Sequence, residues 1–208
     1  MYNSPAFIEG QPEVLHGLIR ENPLGTLVST QDGDIECSHI PMVLDPGNNV
    51  LRAHVARANQ HWTRLAGSKV LVVFHGPEQY ITPSWYPSKR VHGKVVPTWN
   101  YIVVHVRGQV RVVDETEFLL RNVAELTAQN EGTLTERWSV TDAPADFISG
   151  LTRSIVGIEI AITEMEGKWK ISQNRSAEDI AGVRQGLRAL ATNKSMAMLK
   201  AMERLGSS

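Results

Sequence analysis

The sequence predicts a mostly β protein with peripheral helices (α+β), organised as a small antiparallel barrel. Three observations carry that expectation: six or seven strand-like runs at short spacing, turn signals between them, and helices that do not alternate regularly with the strands. The βαβ rhythm of a doubly wound fold is missing. At 208 residues the chain is long enough for one substantial core, with residues 1–175 as the barrel domain and residues 176–208 as a C-terminal helical arm.

The first element is a helix. Pro12 suits a first helical turn, where its missing N–H costs nothing, and Val14, Leu15, Leu18 and Ile19 fall on one face. Asn22-Pro23 ends it, since the residue before a proline is pushed out of helical geometry. Strands follow over residues 24–30, 35–44, 50–56 and 69–75, with Gln31-Asp32-Gly33-Asp34 and Asp45-Pro46-Gly47-Asn48 as turns. A short helix over residues 60–66 takes Asn59 as its cap.

The clearest strand covers residues 103–113, with Val104, Val106, Val110 and Val112 on one face and His105, Arg107, Gln109 and Arg111 on the other. Gly108 marks a bend or bulge within it. Asp114 is expected to cap the next helix, with Glu117 three residues on, and Leu119, Leu120, Val123 and Leu126 as its buried stripe. Residues 155–163 alternate again, and Glu166-Gly167 reads as a turn into a last strand over residues 168–172. Ser176 with Asp179 opens a final helical section reaching about Leu205, broken near Thr192-Asn193-Lys194.

Composition excludes several classes. The 42% hydrophobic and 21% charged content is that of a globular protein, which rules out wholesale disorder and collagen. No apolar run approaches the length of a membrane-spanning helix, and the N-terminus lacks a signal peptide's basic start. Cys37 is the single cysteine, so no intrachain disulfide forms and a cytoplasmic location is expected. A net charge of −1 gives no whole-protein footprint for nucleic acid.

The informative stretch is residues 79–113, which contain no Asp or Glu but hold Lys89, Arg90, Lys94, Arg107 and Arg111. Tyr80, Trp85, Tyr86, Trp99 and Tyr101 lie in the same stretch. Cations beside flat aromatic faces suit a ligand that is anionic at one end and planar at the other. A solvated loop with ordinary core aromatics is the alternative. Within the stretch, Thr82-Pro83-Ser84-Trp85-Tyr86-Pro87 and Val96-Pro97-Thr98-Trp99-Asn100-Tyr101 both combine proline, a hydroxyl and aromatics. Two further elements join them. His54, Arg57 and Asn59 lie at a strand-to-helix junction, and Lys168-Trp169-Lys170-Ile171-Ser172-Gln173-Asn174-Arg175 ends a strand.

Energetics limit what these groups do alone. Three charge-assisted hydrogen bonds give at most about 5–9 kcal/mol, while association costs about 4–15 kcal/mol. The planar part of a ligand must therefore be buried against aromatic surface. Other chemistries lack their spacing: there is no glycine-rich phosphate loop, no zinc-ligand motif around the seven histidines, and no GxSxG elbow.

His54-Val55-Ala56-Arg57-Ala58-Asn59 followed by Trp62, the Thr82–Tyr86 loop, the Val96–Tyr101 segment and Lys170-Ile171-Ser172-Gln173-Asn174-Arg175 occur in the order found in the PaiB family. The chain resembles that family over roughly residues 1–190. The resemblance implies an antiparallel split β-barrel that binds flavin mononucleotide (FMN), a homodimer with flavin sites at the subunit interface, and a negative transcriptional regulator. Carried over by position, it implies cofactor contacts from His54, Arg57 and Asn59 near the phosphate, from Ser84, Trp85, Tyr86, Thr98, Trp99 and Asn100 around the ring or ribityl chain, and from Lys170, Ser172 and Gln173 closing the site. Gln60-His61 stands where the family pattern has Pro-Gln, which loosens that helix start.

The expected function is FMN binding with a regulatory or redox-sensing role; no catalytic residue and no metal ligand is assigned. The alternatives are an FMN-dependent oxidoreductase of a small substrate, or haem binding through His54, His75 or His105. DNA binding is implied by the family resemblance alone. Its best carrier is the tail, where Arg184, Arg188, Lys194, Lys200 and Arg204 face only Glu203, and an arm over the barrel or a partner explains that tail equally well.

Overall fold

The computed structural model describes residues 1–204, so the helix end expected near Leu205 lies outside the described residues. The described strands are β1 (Ile8–Glu9), β2 (Leu24–Gln31), β3 (Asp34–Asp45), β4 (Val50–Ala56), β5 (Lys69–Ile81), β6 (Thr98–Val113) and β7 (Ile155–Lys170). The helices are α1 (Pro12–Glu21), α2 (Ser88–His92), α3 (Thr116–Glu131), α4 (Ala145–Thr152), α5 (Ala177–Leu190) and α6 (Asn193–Arg204). The strands form one antiparallel sheet in the order β1-β7-β4-β3-β2-β5-β6, with β6 also pairing with β7. This is the α+β class the sequence predicts.

The chain divides into two compact units: a central unit (Pro12–Phe74 and His105–Met165) and a terminal unit (Met1–Gln11, His75–Val104 and the chain from Glu166 onward). In the central unit, β2 and β3 form a hairpin whose register runs from Leu24↔Pro41 to Gln31↔Asp34. Asp32 and Gly33 at its tip have φ of 53° and 89°, the pair of positive values that a tight two-residue hairpin loop needs. β4 pairs with β7 from Val50↔Ala161 to Ala56↔Ile155. Leu27, Met42, Leu51, Val72, Phe74, Val106, Ile158 and Ile160 are fully buried between these strands and their cover. α1 adds Leu15, Leu18 and Ile19 to the buried set.

Several expectations need correction. Residues 155–170 are one strand, with no turn at Glu166-Gly167. The reason lies in the terminal unit, where β1 supplies a pairing partner (Ile8↔Lys168, Glu9↔Gly167) and Met1 bonds Glu166. β5 continues past Gly76-Pro77 to Ile81, and β6 starts at Thr98. Val113, rather than Val112, is fully buried, because the inward face of β6 changes phase after Val110. Gly108 serves close approach: a Cβ there would lie 2.5 Å from the Ala161 carbonyl oxygen and from Ile160 Cγ2.

On α3 the buried residues are Phe118, Leu119 and Asn122, while Leu120 is exposed. Asp114 does not cap this helix: the N-cap is Glu115, without a side-chain cap bond, and Asp114 is held by Arg57. The break at Thr192 falls where expected, with Ala191 at φ 49° ending α5.

Candidate functional site

In the central unit, the end of β4 carries His54, Arg57 and Asn59. His54 Nδ1 lies 2.8 Å from Asn122 Oδ1, an oxygen that can only accept, so Nδ1 donates to it. Asn122 is fully buried, and its Nδ2 has no hydrogen-bond partner among the described residues. Arg57 grips Asp114 through both terminal nitrogens, at 3.1 and 2.5 Å, and donates to the Arg153 and Ile155 carbonyls at 3.0 Å each. That guanidinium holds the Asp114 carboxyl below the usual carboxylate range. Beside the pair opens a hollow of about 400 Å³ lined by Thr116, Ser149, Thr152 and Arg153.

Asn59 caps the 3-10 turn Gln60–Arg64 by accepting from the His61 N–H. His61 is buried at 1% exposure between two hydroxyls, with Nε2 2.8 Å from Ser29 Oγ and Nδ1 2.8 Å from Ser38 Oγ. Burial pushes its pKa below the ordinary histidine value. The three junction residues read from the sequence are thus held in one network-rich corner of the central unit.

The other nine predicted residues lie in the terminal unit. Thr82 caps the 3-10 turn Pro83–Trp85, and Ser84 accepts a 3.1 Å hydrogen bond from Lys89. Trp85 lies against Gly182 and Gly186 of α5, and Tyr86 is buried beneath the Arg175 guanidinium, 4.9 Å from its ring centre. Burial raises the Tyr86 pKa. Asp179 in the first turn of α5 accepts from both the N–H and the hydroxyl of Ser88. Trp85 and Ser88 therefore anchor the loop to α5.

Thr98, Trp99 and Asn100 begin β6 with alternating roles. Asn100 is fully buried and hydrogen-bonds Ser172, with Nδ2–Oγ and Oγ–Oδ1 separations of 2.9 and 3.1 Å. Ser172 sits at φ 70°, a left-handed conformation that costs an L-residue roughly 1–2 kcal/mol. Gln173 locks the same turn by accepting from Ile171 N and donating to the Trp169 carbonyl. Strain held this way recurs at functional sites, where it fixes neighbouring groups.

Next to this turn, Lys170 donates to Thr98 Oγ1 at 2.6 Å, and its Nζ is 5.9 Å from the Tyr101 ring centre. Lys168 is 8% exposed, with Nζ 5.5 Å from the ring centres of both Tyr2 and Tyr101 and 2.9 Å from the Tyr2 carbonyl oxygen. Trp99, edge-on to Tyr80, is 51% exposed. Lys168 is absent from the residues the resemblance implies. Its alternation with Lys170 is the sequence signal that puts both ammonium groups on one strand face. Among the described residues, no group of three His, Cys, Asp or Glu is placed to hold a metal ion.

Three basic residues of the α5–α6 tail are engaged within the terminal unit. Arg184 donates to the Met202 carbonyl, Arg188 pairs with Glu203, and Lys194 pairs with Glu78. No described helix is long and apolar enough to cross a membrane.

Comparison with known proteins places these features. A family model described as "Putative FMN-binding domain" matches residues 1–164. An uncharacterized protein of Emericella nidulans is 34% identical over 93% of this chain and 92% of its own. The protease synthase and sporulation protein PAI 2 of Bacillus subtilis is 29% identical over 98% of this chain and 97% of its own. Among solved structures, the FAD and heme binding protein from Mycobacterium smegmatis superposes with a TM-score of 0.61 at 16% identity, covering 84% of this chain and 78% of that one. The flavocytochrome Anf3 from Azotobacter vinelandii gives 0.57 at 11% identity, covering 84% and 75%. The fold is that of the flavin-binding split barrels, the PaiB resemblance read from the motifs holds, and the chain belongs to the FMN-binding domain family.

Proposed function

We propose that this protein binds FMN non-covalently, as a homodimer in the cytoplasm, and serves a regulatory or redox-sensing role. The observation that carries the reading is the cluster of cations and aromatics in the terminal unit: Lys168 and Lys170 flank Tyr101, and Trp99 is exposed beside them. Those residues fit a planar, anionic ligand. Of the residues the resemblance implies, Thr98, Trp99 and Lys170 meet it, while Trp85, Tyr86, Asn100, Ser172 and Gln173 hold the surface from behind. The resemblance assigns His54, Arg57 and Asn59 to the phosphate. When bound, the flavin supplies the electron chemistry, and the protein orients it and tunes its charge.

The regulatory part draws support from the Bacillus relative, whose name ties that protein to protease synthesis and sporulation. The internal pairing of Arg184, Arg188 and Lys194 favours α5–α6 as an arm rather than a DNA-recognition element. Purification followed by FMN titration tests the reading. A yellow protein, or quenching of FMN fluorescence at stoichiometric ratio, is expected; protein that stays colourless and leaves FMN fluorescence unchanged would overturn it.

A further inference from the structure

We infer that Lys168 and Lys170 together set the redox preference of the ligand, by making the terminal unit bind its more negatively charged state more tightly. The inference rests on the flavin reading above. Its basis is a charge imbalance. Lys168 is 8% exposed, yet among the described residues its ammonium meets a backbone carbonyl and two ring faces. Lys170 contacts a hydroxyl and the Tyr101 ring. Among the described residues, neither ammonium has a carboxylate within ion-pair distance, while Glu166, the nearest acid in sequence, is paired with the Met1 ammonium. A buried cation without an acid is costly, and an anion brought to it recovers that cost.

The turn next to the pair is built to hold one geometry. Ser172 keeps its left-handed backbone because the buried Asn100 amide holds its hydroxyl, and Gln173 closes the strand end. Lys170 leaves the strand immediately before that turn, so its ammonium is aimed rather than free to sweep. Lys168 lies two residues back on the same strand face and acts through its field, in a low-dielectric setting where charge is weakly screened.

The redox consequence follows from charge balance. Two electrons and one proton convert the neutral oxidised flavin ring into a reduced ring with one negative charge. Dithionite supplies the electrons in the test; a hydride donor of the reduced nicotinamide class would do so in a cell. An ammonium pair with no acid favours the reduced state. By thermodynamic linkage, tighter binding of reduced than of oxidised FMN appears as a raised midpoint potential.

The test measures FMN binding in both redox states, and the midpoint potential of the bound flavin, for the full chain and for Lys168→Met, Lys168→Arg and Lys170→Met. Each methionine variant is expected to weaken binding of reduced FMN more than that of oxidised FMN. Each loses about tenfold in preference for the reduced state, a fall of about 30 mV for a two-electron couple. Lys168→Arg is expected to retain the preference, because the charge remains. If Lys168→Met fails to fold, Lys170→Met, whose side chain is less buried, decides the matter. Variants that bind flavin with unchanged potential would overturn the inference and leave the flavin reading standing. A parent protein that binds FMN in neither state would overturn both.

Discussion

Gly186 of α5 lies directly against the indole of Trp85: a Cβ on that glycine would overlap the ring, and one on Gly182 would overlap the Trp85 carbonyl oxygen. α5 is therefore seated on the 82–88 loop through two glycines one helical turn apart. Asp179 pins the same loop through Ser88.

That seating separates two glycine-to-alanine substitutions by sign. Gly17 in α1 has open space around it, with nothing within 4 Å of where a Cβ would sit, so Gly17→Ala gains helix propensity, about 0.5–1 kcal/mol. Gly182→Ala gains the same propensity but collides with backbone, which costs about 1–3 kcal/mol. Urea denaturation of the two variants should shift the midpoint in opposite directions.

Ser172 and Asn100 give a second contrast. Ser172→Ala keeps the left-handed strain and leaves the buried Asn100 amide without its hydroxyl, so a loss of about 2–3 kcal/mol is expected. Ser172→Gly loses the same bond but relieves the strain, so it should cost less than the alanine variant despite removing more atoms. Equal losses would show that the φ of 70° carries no strain.

His61 should make stability depend on pH near neutrality. Burial holds its pKa below the ordinary 6.5, so the unfolded chain binds the proton more readily than the folded one. Its contribution is complete above pH 6.5 and is lost as pH falls through the folded value. Denaturation midpoints should decline on acidification from about pH 7.5 to 5.5, and His61→Gln should flatten that decline. An unchanged slope in the variant would assign the effect to another group.

Asp45 acts in a lower window. The Asn48 side-chain amide, then the Arg52 guanidinium, hold its carboxyl at about 2, against an ordinary 3.8. The resulting stability is present above 3.8 and is lost as pH falls through about 2. Asp45→Asn should thus be less stable than the parent at neutral pH, with the gap closing in acid. Arg52 keeps Glu125 in the variant, which limits the loss at neutral pH to about 1–2 kcal/mol. Thermal melts of both proteins at a series of pH values check the convergence.

The sequence by itself determined the α+β class, the β2–β4 strands, the ends of α1, the Asn59 and Ser176 caps and the family, because these depend on local patterning and on motifs read in order. Alternating valines, a proline after Asn22 and an Asp-Gly turn act through backbone geometry that near neighbours already fix. The tertiary structure alone decided what each polar group does. Asp114 reads as a helix cap, but Arg57, 57 residues earlier, holds it instead. Glu166-Gly167 reads as a turn, but pairing with β1, near the opposite end of the chain, keeps it extended. Trp85 and Tyr86, which the resemblance makes ligand contacts, are also seated against α5 and Arg175. Lys168 shows its unpaired charge only once the fold has placed its neighbours. Such assignments depend on contacts between distant residues, and burial sets their energy, so no window of local sequence contains them.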